Sequence, residues 1–180
     1  MRMETMETYP IQIGSVTRRV PLHEPFPGVR IPLVDFLGDV EFVRAVAQEL
    51  LPKMPEDADL LVTCETSSIP LTHELASARE LDYIVARKRR RPYMVDPIIQ
   101  EVESLTLGAV EVLWLDRRYA EKILNKNVVL VMDVVASGGT MKALEKMVNR
   151  AGGRVIARLA GFHQGETDLE ISTVAELPQL

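Results

Sequence analysis

The run Val128-Val129-Leu130-Val131-Met132-Asp133-Val134-Val135 constrains this chain more than any other segment. It is apolar but for one acid and rich in β-branched side chains, so it reads as a buried strand of a parallel sheet. It leads into a small-residue turn, Ala136-Ser137-Gly138-Gly139-Thr140. A helical pattern follows, with Met141, Leu144, Met147 and Val148 on one face. A strand therefore delivers a carboxylate, Asp133, beside a Gly-rich loop that opens a helix. Such a loop turns backbone N–H groups toward an anion, and the helix dipole favours negative charge there. The hydroxyls of Ser137 and Thr140 add donors. The result is a phosphate cradle with an acid next to it. It is not a Walker P-loop, because Gly-Lys-Ser/Thr is missing, nor a Rossmann Gly-x-Gly-x-x-Gly turn.

The remaining pattern alternates strands and helices. Residues 1–10 are polar and read as loose. Ile11 to Val20 alternates weakly, as in a strand or hairpin, and Pro21 to Pro32, with four prolines, reads as an irregular connection. Asp39 is placed to cap a helix running to about Leu51, with Phe42, Val43, Val46 and Leu50 as its buried stripe and Pro52 and Pro55 beyond its end. Strands are expected at Asp59–Thr63, Asp82–Ala86, Ala109–Leu115 and Arg154–Gly161, with an edge strand at Ile171–Ala175. A helix is expected over Pro70–Glu80, and a short helix or turn over Asp116–Leu124. Gly152-Gly153 ends the helix that follows the cradle. Residues 88–108 show no sustained period, and a structureless stretch of that length in a compact domain is usually functional. Alternating elements imply an α/β fold, a parallel sheet with helices on both faces. Ligands bind outside the carboxyl ends of such strands. Glu65, Arg87 and Asp133 all fall at or just past expected strand ends.

The thirteen residues Val128–Thr140 resemble the phosphoribosyl-diphosphate (PRPP) signature of the type I phosphoribosyltransferases: four apolar residues, two acids, two apolar residues, then a small Gly-Gly-Thr loop. Met132 stands where the first acid belongs, and Asp133 fills the second place. Three further segments are similar to the adenine phosphoribosyltransferase branch, in the same order. Phe26-Pro27 through Asp35-Phe36, with Leu37-Gly38-Asp39, resembles its N-terminal segment. Glu65-Thr66-Ser67-Ser68-Ile69-Pro70-Leu71 resembles its pyrophosphate loop, with Ser68 where the family usually has Gly. Val85-Ala86-Arg87-Lys88-Arg89-Arg90-Arg91-Pro92-Tyr93 resembles the stretch that leads into its mobile catalytic loop. The four segments span roughly residues 20–162. Leu33 replaces the aromatic that stacks on adenine, and Val34 replaces an Arg.

The resemblance implies a type I phosphoribosyltransferase-like parallel sheet with a small N-terminal hood, in a single domain: residues 1–36 the hood, about 37–165 the core. It implies transfer of phosphoribosyl from PRPP to a nucleobase, a purine first of all, giving a nucleoside monophosphate and pyrophosphate. Mg²⁺ would accompany PRPP, and the protein would be a homodimer. By the same resemblance, Ala136, Ser137, Gly138, Gly139 and Thr140 hold the 5′-phosphate and Asp133 the ribose. Glu65, Thr66, Ser67, Ser68, Arg87, Lys88 and Arg91 hold the pyrophosphate, and Leu33, Val34 and Phe162 surround the base. The Glu expected late in the mobile loop falls near Thr106, with Glu101 and Glu103 as its alternatives. The competing function is a non-catalytic PRPP or nucleotide sensor on the same fold; a weaker third option is a paralogue that binds neither.

Other features bound these readings. The five consecutive cations Arg87–Arg91 are read either as a solvated run or as a partner for a polyanion, nucleic acid or diphosphate. The net charge of −5 gives no general attraction to nucleic acid. Cys64, the only cysteine, excludes an internal disulfide and reads as a packed thiol. His23, His73 and His163 show no metal-ligand spacing, so no dedicated metal cage is expected. Trp114 reads as core or interface, and Phe162 as core or as a ring stacked on the base. No apolar run is long enough to span a membrane and no secretory signal is visible, so the expectation is a cytosolic protein.

Overall fold

The structure, a computed structural model, describes residues 7–103 and 111–180. Thr106 and the expected start of a strand at Ala109 lie outside the described residues. Five parallel strands form the central sheet: β4 (Leu60–Cys64), β5 (Asp82–Ala86), β8 (Asn127–Val135), β9 (Arg154–Gln164) and β10 (Ser172–Leu177). Their order is β10-β9-β8-β4-β5. From β4 the chain crosses to β5 on one side and later returns to β8 on the other. Strand order therefore reverses between β4 and β8, and the crevice past their carboxyl ends is where such sheets take ligands.

The β4–β8 ladder reaches Val62 opposite Leu130. Beyond it the Thr63 hydroxyl donates to the Val131 carbonyl at 2.7 Å, satisfying two buried polar groups where the strands part.

Strand β8 alternates between two cores. Val129 and Val131 face α1 (Val40–Leu50) and α2 (Ser68–Ala78); Val128, Leu130 and Met132 face α4 (Gly139–Arg150) and the buried end of α3 (Arg117–Ile123). Asp39 caps α1, accepting from Phe42 N at 3.1 Å. The same carboxylate pairs with Arg18 of the N-terminal sheet at 2.6 Å, and the hydrogen bond from Arg18 holds the Asp39 carboxyl below its ordinary pKa. Helix α1 is thereby tied to the hood.

That hood is an antiparallel sheet of β1 (Thr8–Ile13), β2 (Val16–Phe26) and β3 (Val29–Pro32). Two expectations need correction here. Thr8–Pro10 is not loose but begins β1, and the proline-rich segment is mostly strand. Pro25 falls in the irregularity of the β2–β3 register between His23 and Phe26, where no ladder N–H is needed, and Gly28 (φ 81°) makes the turn.

The segment 88–108 also holds a strand, β6 (Ile98–Val102). It pairs antiparallel with β7 (Glu111–Leu115) in a hairpin outside the main sheet. An isolated bridge joins that hairpin to the sheet, with Arg87 N donating to Trp114 O and Trp114 N to Arg87 O, both at 2.8 Å.

Phe36, Phe42 and Phe162 form a fully buried aromatic cluster, with ring centroids 5.8–6.2 Å apart. We predict that Phe162→Ala lowers unfolding stability by about 3–5 kcal/mol. Urea titration checks this, and a loss below about 1 kcal/mol would contradict the packing described.

Candidate active site

The strand, turn and helix form as their spacing implies. Asp133 sits near the end of β8, and the chain turns through Ala136 and Ser137 to Gly138, which caps α4 in the left-handed conformation (φ 82°) that glycine tolerates. Among the described residues, no side chain caps α4. Its first N–H groups are thus left for an external acceptor. The turn and Met141 line a cleft of about 240 Å³ with Val102, Glu103, Glu111 and Met132. A wider groove of about 420 Å³ between the β1–β2 turn and α1 is lined by none of these residues.

The glycines also serve packing. A Cβ on Gly139 would run into the Glu103 carbonyl, and one on Gly138 would come within 2.8 Å of Leu169 and Thr167. The β9–β10 connection thus lies over the turn, clipped to α4 by Lys142 and Asp168 at 2.6 Å.

Across the crevice, Glu65 follows β4 and organises the cations that follow β5. It accepts from Lys88 N at 2.8 Å, and its Oε1 lies 2.8 Å from Arg87 Nε and 3.5 Å from Arg91. The Arg87 contact is an ion pair out of line for a hydrogen bond. Lys88 Nζ pairs with Glu111 of β7 at 2.6 Å. Partial burial works against the Lys88 charge, but Glu111, with help from Asp133, outweighs it and raises the pKa. Glu111 therefore lines the cleft and holds a site cation, which nothing in its sequence surroundings signals. Arg89 and Arg90 are exposed and make no ion pair with the described residues.

Helix α2 starts at Ser68, two residues earlier than Pro70 suggested. Ser67 does not cap it with its side chain; its hydroxyl accepts from Phe36 N and donates to Asp35, both at 3.0 Å. Ser68 is buried and bonds to Asp133: its hydroxyl lies 2.8 Å from Oδ1 and 3.0 Å from the backbone N. Thr66 lies between Glu65 and this pair of serines.

The expected base contacts divide. Leu33 is half exposed, but Val34 and Phe162 are core side chains, packed in the cluster beneath the hood. In this packing neither Val34 nor Phe162 presents a face to a ligand; β9 buries Phe162 against Phe36 and Phe42. Glu101 is exposed on β6, and Glu103 pairs with Lys146 of α4 at 2.6 Å, which holds its carboxyl below the ordinary range. His73 packs edge-on to Tyr83, with ring centroids 5.7 Å apart.

A strand-end acid, a Gly-turned helix start and a facing row of cations meet at the carboxyl ends of a five-stranded parallel sheet, in a protein of the α/β class. More particularly, the chain belongs to the phosphoribosyl transferase domain family, matched over residues 40–173. A hypoxanthine/guanine phosphoribosyltransferase of Methanocella paludicola is 27% identical over 149 residues, covering 83% of this chain and 71% of that protein. Among solved structures, adenine phosphoribosyltransferase of Thermoanaerobacter pseudethanolicus superposes with a TM-score of 0.72 at 19% identity, over 87% of this chain and 95% of that one. The enzyme of the same name from Rhodothermus marinus gives 0.69 at 18%, over 94% of each chain. The fold is that of the type I phosphoribosyltransferases. Among the described residues, no helix is long and apolar enough to cross a membrane.

Beside this site lies Cys64, whose thiol burial pushes up to about 12. We predict that the native protein resists thiol reagents at neutral pH and reacts only on unfolding. Because the unfolded thiol ionises near 9.0, the stability linked to Cys64 is intact below that pH and is lost as pH rises toward about 12. Rapid labelling of the native chain at neutral pH would contradict this.

Proposed function

We propose that this chain transfers the phosphoribosyl group of PRPP to a purine base, releasing pyrophosphate and a nucleoside monophosphate. One observation carries the reading: Asp133 and the uncapped, Gly138-turned start of α4 adjoin each other on the β8 side of the β4–β8 crevice, with the cations ordered by Glu65 on the other. The backbone N–H groups of Ala136–Thr140, with the Ser137 and Thr140 hydroxyls, receive the 5′-phosphate. Asp133 accepts hydrogen bonds from the ribose hydroxyls. The loop Glu65–Ser68, with Arg87, Lys88 and Arg91, receives the diphosphate and stabilises the charge that develops as it departs.

In this structure those cations are held by Glu65 and Glu111. They are thus prepositioned, and the diphosphate must displace or share their carboxylate partners.

Mg²⁺ fits the partly exposed Asp133 carboxylate, the kind of ligand that supplements substrate phosphates, and when bound it neutralises diphosphate charge. Among the described residues, no group of three or more His, Cys, Asp and Glu is placed to hold a metal.

Leu33 is the exposed apolar contact for the base. The Methanocella paludicola relative is a hypoxanthine/guanine phosphoribosyltransferase, and Val34 supplies no cation for adenine. Of the two β6-end carboxylates, Glu103 lines the cleft and reaches substrate by exchanging Lys146 for it, whereas Glu101 does not line the cleft. A homodimer is part of the same reading, by family resemblance, and a cytoplasmic location is proposed with it. The second reading, PRPP binding without turnover, rests on Met132 in place of an acid.

Incubation with PRPP, Mg²⁺ and a panel of purine and pyrimidine bases, with chromatographic separation of products, tests both. A new purine monophosphate is expected; PRPP binding with no product from any base would favour the second reading. We further predict that Asp133→Asn lowers kcat/KM by about 10- to 100-fold, the loss of a hydrogen bond to a charged group. Unchanged kinetics would remove Asp133 from the site.

A further inference from the structure

In sequence, Ser68 and Met132 are two separate departures from the family pattern, 64 positions apart. In the structure they touch: the Ser68 hydroxyl lies 3.9 Å from Met132 Sδ, and Cys64 Sγ lies 3.9 Å from the same sulfur. The Ser68 hydroxyl carries a single proton and has two acceptors in view. A carboxylate oxygen at 2.8 Å outcompetes a thioether at 3.9 Å, so the proton goes to Asp133 Oδ1. Its lone pairs receive the Asp133 backbone N–H at 3.0 Å. One hydroxyl therefore clamps the main chain and the side chain of a single residue.

The clamp is itself fixed. Ser68 is 2% exposed, and its carbonyl accepts from the Thr72 hydroxyl at 2.8 Å. Met132 is 8% exposed, and its sulfur fills the space between Cys64 and Ser68. A carboxylate in that place would be desolvated beside a second negative charge, whereas a thioether carries no such penalty.

We propose that Ser68 is a positioning residue of this site, and that Ser68 and Met132 act as one coupled pair building a ribose site with a single carboxylate. Met132 removes the neighbouring acid; Ser68 supplies the donor that aims the acid that is left, with Asp133 Oδ2 turned to the ligand. This rests on the reading of Asp133 as the ribose-binding group.

The test is calorimetric titration of Mg²⁺–PRPP into the wild-type protein and into Ser68→Ala, Ser68→Thr, Asp133→Asn and the double variant Ser68→Ala/Asp133→Asn. Melting temperatures are recorded alongside, as are KM values for PRPP and base where turnover occurs. Ser68→Ala is expected to weaken PRPP binding by roughly tenfold or more, with the KM for base unchanged. Ser68→Thr, which keeps the hydroxyl, restores most of the affinity. In the Asp133→Asn background the further loss from Ser68→Ala is small, because Ser68 acts through Asp133. Unchanged PRPP affinity in Ser68→Ala overturns the proposal while leaving the function intact. So do losses that add in the double variant, or a KM for base that rises in step with that for PRPP. A wild-type protein that binds no PRPP overturns both.

Discussion

Burial of β8 on both faces is the constraint from which the rest of the structure follows. Val128, Val129, Leu130 and Val131 have no exposed surface, and successive side chains enter opposite cores. Each such side chain contributes about 1.5–3 kcal/mol when taken out of water. Together they match the order of the net stability of a whole domain. A strand so tightly fixed leaves no freedom in where its end emerges. The positions of Asp133, the Gly138 turn and the first turn of α4 thus follow from hydrophobic packing of the strand that leads into them.

The polar contacts then divide the work. Thr63 closes the seam where β4 and β8 separate, and past that seam Ser68 reaches from α2 to Asp133. On the far side, Glu65 gathers the backbone of Lys88 and the side chains of Arg87 and Arg91, while Glu111 holds Lys88. Like charges in one sequence run repel each other, and interleaved carboxylates relieve that repulsion at the site itself. Diphosphate, with more charge in less space, would complete the same neutralisation.

What the sequence made legible was whatever repeats at short range. The continuous apolar runs of β4, β5 and β8, the Asp39 cap of α1 and the Gly152-Gly153 stop of α4 all carry local signatures, and each element appears within a few residues of its expected bounds. Partner-dependent features were not legible. Strand β6 has little alternation of its own and exists through pairing with β7; β2 accommodates Pro25 because it falls in a bulge. Phe162 could be read as a core ring or a base-stacking ring until Phe36 and Phe42 were seen against it. The Ser68–Asp133 and Lys88–Glu111 contacts join residues far apart in the chain, so the two departures from the motif looked independent.

In the proposed function, a single strand-end carboxylate beside a glycine-turned helix start suffices to hold PRPP. Phosphorus NMR of PRPP titrated with the protein in the presence of Mg²⁺ tests it most directly, because the 5′-phosphate and the diphosphate report separately. Saturable changes are expected in both sets of resonances, the 5′-phosphate signal responding to the α4 turn and the diphosphate signals to the Glu65-ordered cations. Resonances that stay at their free positions at saturating protein would contradict it.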